Sequence, residues 1–461
     1  MIDAKKQTTN KGMIYMNLLY NKESVICKLW KVFSKYFCKA TKPTQRHLFD
    51  IVLSVLGLNG FESIKFNYDH FMNEISEYKL KSYYYTLNES KMKLCDWMKQ
   101  LTETALSVMD QESQQPIVLS IDDTMIEKFG EKFDNCSKLF DHAAHNGSNY
   151  LNGHCFVSLL LSVPVCTDGR CHYLSVPVGY RMWTKETSKL AMAAELVRTV
   201  MKVIGTQRQV ILCCDSWYPK GDITGLIDEF ENLAIICNVR SDTVLYDLPP
   251  KPTGKRGRPR KYGNKLAFEN FTFQEIPNTD FYAGSREVLT NLFGDKIVHA
   301  VVTKAKKSNS CRLFLCTQTP QSLNFDISFI TSENARTYAQ ADAAFLPMSI
   351  YSLRWNIEVS YYEQKTFWSL GDYMLRSCNG IERLVNLITL VYSTMTLLPY
   401  LDLSFSQFNQ YRPQQIRFLL GNLIHRQLFF ATFLHSLKSS NFMPSFILSL
   451  EQSASSFIFA S

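Results

Sequence analysis

PIVLSIDDT, residues Pro116 to Thr124, and QVILCCD, residues Gln209 to Asp215, are the two stretches on which the fold turns. Each is a short apolar run rich in β-branched or compact residues that stops at an acid. A run this short and this uniformly apolar predicts a strand covered on both faces, the kind that builds the middle of an α/β sheet. Working outward, HCFVSLLLSVPV (154–165) and HYLSVPVGYRMW (172–183) predict two further strands. ETSKLAMAAELVRTVMKVIG (186–205) carries the 3.6-residue apolar period of a helix, and a second helix is expected near Ile223 to Asn232 before the strand AIICNVR. The order is β-β-β-α-β-α-β.

Three consecutive strands followed by alternation predict a mixed sheet with helices packed on it, an α/β core of ribonuclease-H-like order. In open α/β sheets ligands bind beyond the carboxyl ends of the strands. Asp122 and Asp215 both close apolar runs, so they are expected to meet in one crevice. Taken singly, each equally suits a turn or cap residue. Asp123 directly follows Asp122 and points to the other face of a strand, so it is the alternative first acid.

The flanks differ in character. Residues 1–115 show helical spacing, as in HLFDIVLSVLGL and KLCDWMKQLTETALSVM, and form a helical N-terminal region. Between 241 and 346 the α/β rhythm stops. FENFTFQEI, DKIVHAVVTKA and CRLFLCTQT predict a mainly β insertion into the 116–240 core, which resumes at 347–380. Residues 381–461 read as a helical C-terminal region.

The chain has 461 residues, 46% of them hydrophobic, and a formal charge of +8, so several domains with real cores are expected and a polyanionic partner is permitted. The basic excess concentrates in KPTGKRGRPRKYGNK (251–265), with seven Lys or Arg and no acid. Lys255, Arg256, Arg258, Arg260 and Lys261 are therefore expected at DNA, mostly on phosphates. MIDAKKQTTNKG lacks the apolar centre of a secretory signal, and the run Cys155 to Val165 is too short to span a bilayer, so a cytoplasmic protein with no membrane partner is expected. Thirteen cysteines without a framework fit reduced core thiols. His154, Cys155, Cys166, Cys171 and His172 match no common zinc spacing and suit packing better.

YSLRWNIEVSYYEQK, Tyr351 to Lys365, supplies a third acid. On one continuous helix Tyr351, Arg354, Glu358 and Lys365 fall within an arc of about 60°. Glu358 would ligate a divalent cation, and Arg354 and Lys365 would hold a phosphate backbone. An exposed ion-paired face has the same spacing. Trp355, beside them, reads as a buried helix residue.

These four residues and their spacing resemble the YREK signature of bacterial insertion-sequence DDE transposases, and SIDDT and CCDSWYPKGD resemble that family's first and second acid motifs. The resemblance covers roughly Pro116 to Arg376. It implies a metal triad of Asp122, Asp215 and Glu358, two Mg²⁺ ions with Mn²⁺ as a substitute, and DNA contacts from Tyr351, Arg354 and Lys365. It also implies cut-and-paste transposition by two-metal phosphoryl transfer, on double-stranded DNA bearing terminal inverted repeats, by a homodimer or larger oligomer near the bacterial nucleoid. No small-molecule substrate is implied. A DNA nuclease without strand transfer and a catalytically silent DNA-binding protein remain as alternatives.

Overall fold

A computed structural model describes residues 14–58, 60–130, 132–140, 149–167, 169–250, 260–307 and 310–437. The contacts divide the chain into two units: Met1–Met92 with Asp372–Leu375 and Gln410–Ser461, and Lys93–Gly371 with Arg376–Asn409.

The first unit is helical. Its helices include α1 (Val25–Tyr36), α2 (Lys42–Gly57) and α3 (Leu80–Glu89), joined by the helix Pro413–Leu437. Helix α1 starts at Ser24, whose side chain accepts from the Ile26 N–H, and Gln427 of the returning helix accepts from both Ser24 Oγ and the Val25 N–H. These contacts satisfy donors that a helix start leaves open. Asp50, fully buried in α2, accepts from the phenols of Tyr15 (3.0 Å) and Tyr83 (2.8 Å). Burial still pushes its carboxyl up to about 6, against the pull of those donors.

The second unit opens with α4 (Leu94–Ser107) and is built on a ten-stranded mixed sheet. Its strands are β1 (Ile117–Glu127), β2 (Ser137–Phe140), β3 (Tyr150–Thr167), β4 (Arg170–Met182), β5 (Val210–Cys214), β6 (Leu233–Val239), β7 (Gln274–Glu275), β8 (Phe281–Val288), β9 (Val298–Ala305) and β10 (Cys311–Cys316). The order is β2-β3-β1-β5-β6-β10-β9-β8-β7, with β4 on β3. Only β1-β5 and β5-β6 are parallel pairs; the rest of the sheet is antiparallel. Helices α5 (Lys189–Ile204) and α6 (Asp222–Glu229) make the crossovers around β5.

Two expectations change here, the end of β1 and the strand expected at FENFTFQEI. Strand β1 runs on to Glu127, five residues beyond Asp122, because β3 continues to pair with it as far as Gly153. That approach is close: a Cβ on Gly153 would lie 2.1 Å from the Ile126 carbonyl oxygen. The insertion contributes strands to the same sheet, since β10 pairs antiparallel with β6. Within it, FENFTFQEI forms a 3₁₀ turn (Phe268–Asn270) and only two strand residues, while the main strand β8 lies in FYAGSREV.

Helix α7 (Glu333–Ala341) lies at the end of the insertion; α8 (Leu346–Tyr351) and α9 (Trp355–Phe367) come next, separated by a 3₁₀ turn, Ser352–Arg354. Tyr351 to Lys365 is therefore not one regular helix as expected. Helix α10 (Cys378–Leu401) is the one described helix long and apolar enough to cross a membrane; 83% of its most apolar window is buried. Two cysteines expected as thiols, Cys166 and Cys171, form a disulfide across the β3–β4 hairpin, where the strand register sets them opposite each other. Cys155 and His154 are buried, and the His154 ring bonds the Asp134 carbonyl.

Candidate active site

Register brings the first two acids together. Strands β1 and β5 pair Val118 with Ile211, Ser120 with Cys213, and Ile121 with Cys214. The next step of the pleat sets Asp122 abreast of Asp215, on the face that also carries Val118, Ile211 and Cys213. β5 ends at Cys214, so Asp122 sits where the parallel pairing stops although its own strand does not. The same face is covered by Ile350 and Leu353, which pack with Val118, Ile211, Cys213, Ala234 and Ile236. Each of those two side chains contributes about 1.5–3 kcal/mol by burial and holds the α8–α9 junction over the acids.

Arg354, at the end of the 3₁₀ turn, and Tyr361 and Lys365, four residues apart on one face of α9, pin this segment to β1 and β3. Arg354 Nη2 donates to Asp122 Oδ2 at 2.6 Å, Tyr361 and Ser158 share a 2.6 Å hydroxyl contact, and Lys365 Nζ donates to the Met125 carbonyl at 2.8 Å. Glu358 projects from the same face with its side chain 39% exposed, and its Oε1 lies 3.5 Å from Arg354 Nη2.

Arg354 therefore bridges two of the three acids. Asp122 is nearly buried, and its Oδ1 also accepts from the Asp123 N–H at 2.8 Å. Burial pushes the Asp122 carboxyl up to about 8; Arg354 pulls it down, but Asp215 and Glu358 push it further up. Burial works against the Arg354 charge, and Asp122, Tyr351, Asp215 and Glu358 together outweigh it, so the guanidinium is held more firmly protonated than usual. Its Nε is buried with no hydrogen-bond partner among the described residues. One arginine for three mutually repelling carboxylates leaves the cluster short of positive charge.

Among the described residues, no three His, Cys, Asp or Glu side chains close on a point as a finished metal cage. The donor set still fits a hard divalent cation in kind: three carboxylates, one of them buried and destabilised by the other two. Asp122 Oδ2, an oxygen such a cation would use, here carries Arg354.

Asp123 has a different setting. Its Oδ2 accepts from Lys189 Nζ at 2.7 Å and from Cys155 Sγ at 3.2 Å, and its Oδ1 accepts from the Tyr218 hydroxyl at 3.0 Å. The alternative first acid is thus occupied by three protein donors on the opposite face of β1. Tyr351 is half-buried with its ring 5.2 Å from that of Phe314, and burial first of all raises its phenol. Trp355, expected inside, is 67% exposed, beside exposed Val359 and Tyr362 on the outer side of α9. Of the basic segment, Lys255, Arg256 and Arg258 lie outside the described residues. Arg260 and Lys261 are exposed, and the Lys261 ammonium lies 5.4 Å from the Tyr262 ring centre.

Sequence reasoning missed Lys189, Tyr218 and Trp217. Only the run DSWYPK after Asp215 signals two of them, by placing aromatics beside an acid. The Trp217 N–H donates to Asp215 Oδ1 at 3.0 Å, which fixes the turn that presents this carboxylate.

Residues 74–279, somewhat under half of the chain, match the family model described as DDE superfamily endonuclease. The match includes Asp122 and Asp215 and ends before the α8–α9 segment with Glu358. It supports a relation to DDE transposase-type proteins, a metal-dependent endonuclease activity and DNA as the substrate. No curated protein matches the chain.

Proposed function

We propose that this chain is a DDE transposase of an insertion sequence, cutting DNA at the element's terminal inverted repeats and joining the freed ends to a target. The observation that carries the reading is the side-by-side placement of Asp122 and Asp215 on one sheet face, with Arg354 and Glu358 brought over them by the next covering element. The spacing of Tyr351, Arg354, Glu358 and Lys365, which resembles the YREK signature, and the family match at Asp122 and Asp215 support it.

In this reading Asp122, Asp215 and Glu358 hold the divalent cations, two Mg²⁺ per site with Mn²⁺ able to replace them. When bound, these ions supply Lewis-acid activation of the attacking water or 3′-hydroxyl and stabilise the departing oxygen. Arg354 changes partner from Asp122 Oδ2 to a phosphate oxygen, where its planar fork fits two oxygens at once. Lys365 and the 251–265 segment track the backbone, and Tyr351 contacts the DNA beside Arg354. The α9 clamp on β1 keeps Glu358 in line with the sheet acids as DNA enters. Cutting two ends in concert calls for a homodimer or larger assembly on DNA, in the bacterial cytoplasm.

The test incubates the full chain with Mg²⁺ or Mn²⁺, labelled DNA carrying the inverted repeats that flank its reading frame, and a target plasmid. Joined products are expected. Nicks without joining would replace this reading with a plain nuclease, and mobility shifts without cleavage would replace it with a DNA-binding protein.

A further inference from the structure

The turn after β5 presents an aromatic surface that the triad does not use. Trp217 is 43% exposed, while Tyr218 next to it is fully buried. The two rings meet edge to face at 5.1 Å, and the Trp217 backbone is tied to Asp215. Two cations flank the indole: the Lys220 ammonium 4.5 Å from its ring centre and that of Lys189 at 5.7 Å. Lys189 is anchored on Asp123 and also lies 5.5 Å from the Trp183 ring. Lys220 is exposed and has no ion-pair partner among the described residues.

Asp123 organises this arrangement from the far face of β1. Through Lys189 on one oxygen and Tyr218 on the other, it fixes two of the indole's three neighbours, so Trp217 is exposed yet held. A rigid aromatic face loses little conformational freedom on binding, and the lysine beside it supplies positive charge.

We propose that Trp217 and Lys220 form a docking site for an unpaired nucleotide of the DNA strand, the base stacking on the indole and its phosphate meeting Lys220. A π-face paired with a cation matches the two halves of a nucleotide. The ligand must be unpaired, because a base inside a duplex has its faces covered by its neighbours and offers only edges. The Trp217 N–H donates to Asp215 Oδ1, so the turn that carries the indole adjoins this acid. This inference rests on the proposed action on DNA, and Asp123 enters it as a positioning residue.

The test measures binding of the full chain, in EDTA, to a short oligothymidylate carrying one 2-aminopurine and to the same strand in a fully paired duplex. Wild-type protein should quench the single strand's 2-aminopurine. Trp217→Ala should bind the single strand about tenfold more weakly and the duplex within about twofold of wild type. Trp217→Phe should keep most of the single-strand affinity, and Lys220→Gln should lower its salt dependence. Equal single-strand affinity for wild type and Trp217→Ala would overturn the site, as would equal losses on both DNAs or no wild-type binding to either. Matching circular dichroism of the variants checks their folding. Metal-dependent cleavage by wild type is scored separately. Cleavage without a Trp217 effect removes only this site, and a Trp217 effect without cleavage removes only the catalytic reading.

Discussion

Asp122 and Asp123 are neighbours on one strand and face opposite sides of it, and their surroundings are opposite in kind. Asp123 is met by an ammonium, a phenol and a thiol, so its charge is matched where it stands. Asp122 is met by one guanidinium and two further carboxylates; burial first, and then those carboxylates, push it up to about 8 against the pull of Arg354. A buried carboxylate surrounded by donors holds elements together, whereas one crowded by like charge weakens the fold and is poised to take up a cation. In the proposed reading one face of β1 is structural and the other carries the chemistry.

The largest expected effect falls on the chemical face. Asp122→Asn, Asp215→Asn and Glu358→Gln should each reduce metal-dependent DNA cleavage on the order of 10³-fold or more, with unfolding little changed. Gel assays with labelled DNA check this. An active Asp122→Asn enzyme beside an inactive, folded Asp123→Asn enzyme would reverse the assignment.

On the structural face, Asp123→Ala leaves Lys189 and Tyr218 without their acceptor. It should lower unfolding stability by about 3 kcal/mol, as breaking a largely buried pair does. Denaturant unfolding followed by tryptophan fluorescence measures it, and an effect below about 1 kcal/mol would dissolve the contrast.

Asp50, in the helical unit, gives a third case: a buried carboxylate with two phenol donors and a carboxyl raised to about 6. Its folded pKa lies above the ordinary value of 3.8, so the folded state binds more protons between the two. Its contribution is therefore full below about pH 4 and is lost as pH rises through 6, by roughly 3 kcal/mol across that window. Asp50→Asn should flatten this slope, whatever it does to the baseline. A variant as steep as wild type between pH 4 and 6 would place the dependence elsewhere.

The smallest effect belongs to the α9 clamp. Lys365→Met removes the bond to the Met125 carbonyl from an exposed side chain and should cost about 1 kcal/mol of stability. A loss above about 3 kcal/mol would make Lys365 as structural as Asp123.

Much of this was legible in the chain because the deciding elements are local and apolar. PIVLSID and QVILCCD announce covered strands, and parallel pairing then leaves little choice but to bring their acids abreast. What was not legible depends on partners far away in sequence. DTMIE after Asp122 is too polar to read as strand, and it is strand because β3 pairs with it. FYAGSREV carries a glycine and two charges, yet β9 holds it in the sheet. The break at Ser352–Arg354 answers to Ile350 and Leu353 settling on the sheet, so the local helical period misses it. Trp355 sits in a helix of apolar and charged residues whose period does not say which side is outward. Lys189 and Tyr218 acquire meaning only once Asp123 lies between them.

The antiparallel pairing of β10 with β6 also constrains the order in which the protein can be made. Asp122 and Asp215 leave the ribosome early, but the sheet that carries them is completed only when β10 has returned across more than seventy residues to β6. Such distant pairing is slow to form. Until α8 and the turn after it emerge and place Ile350 and Leu353 over Ile211, Cys213 and Ile236, a nascent chain lacks that cover and lacks Glu358 altogether. A partly made chain thus keeps that sheet face open and lacks Glu358 until three quarters of the protein exists.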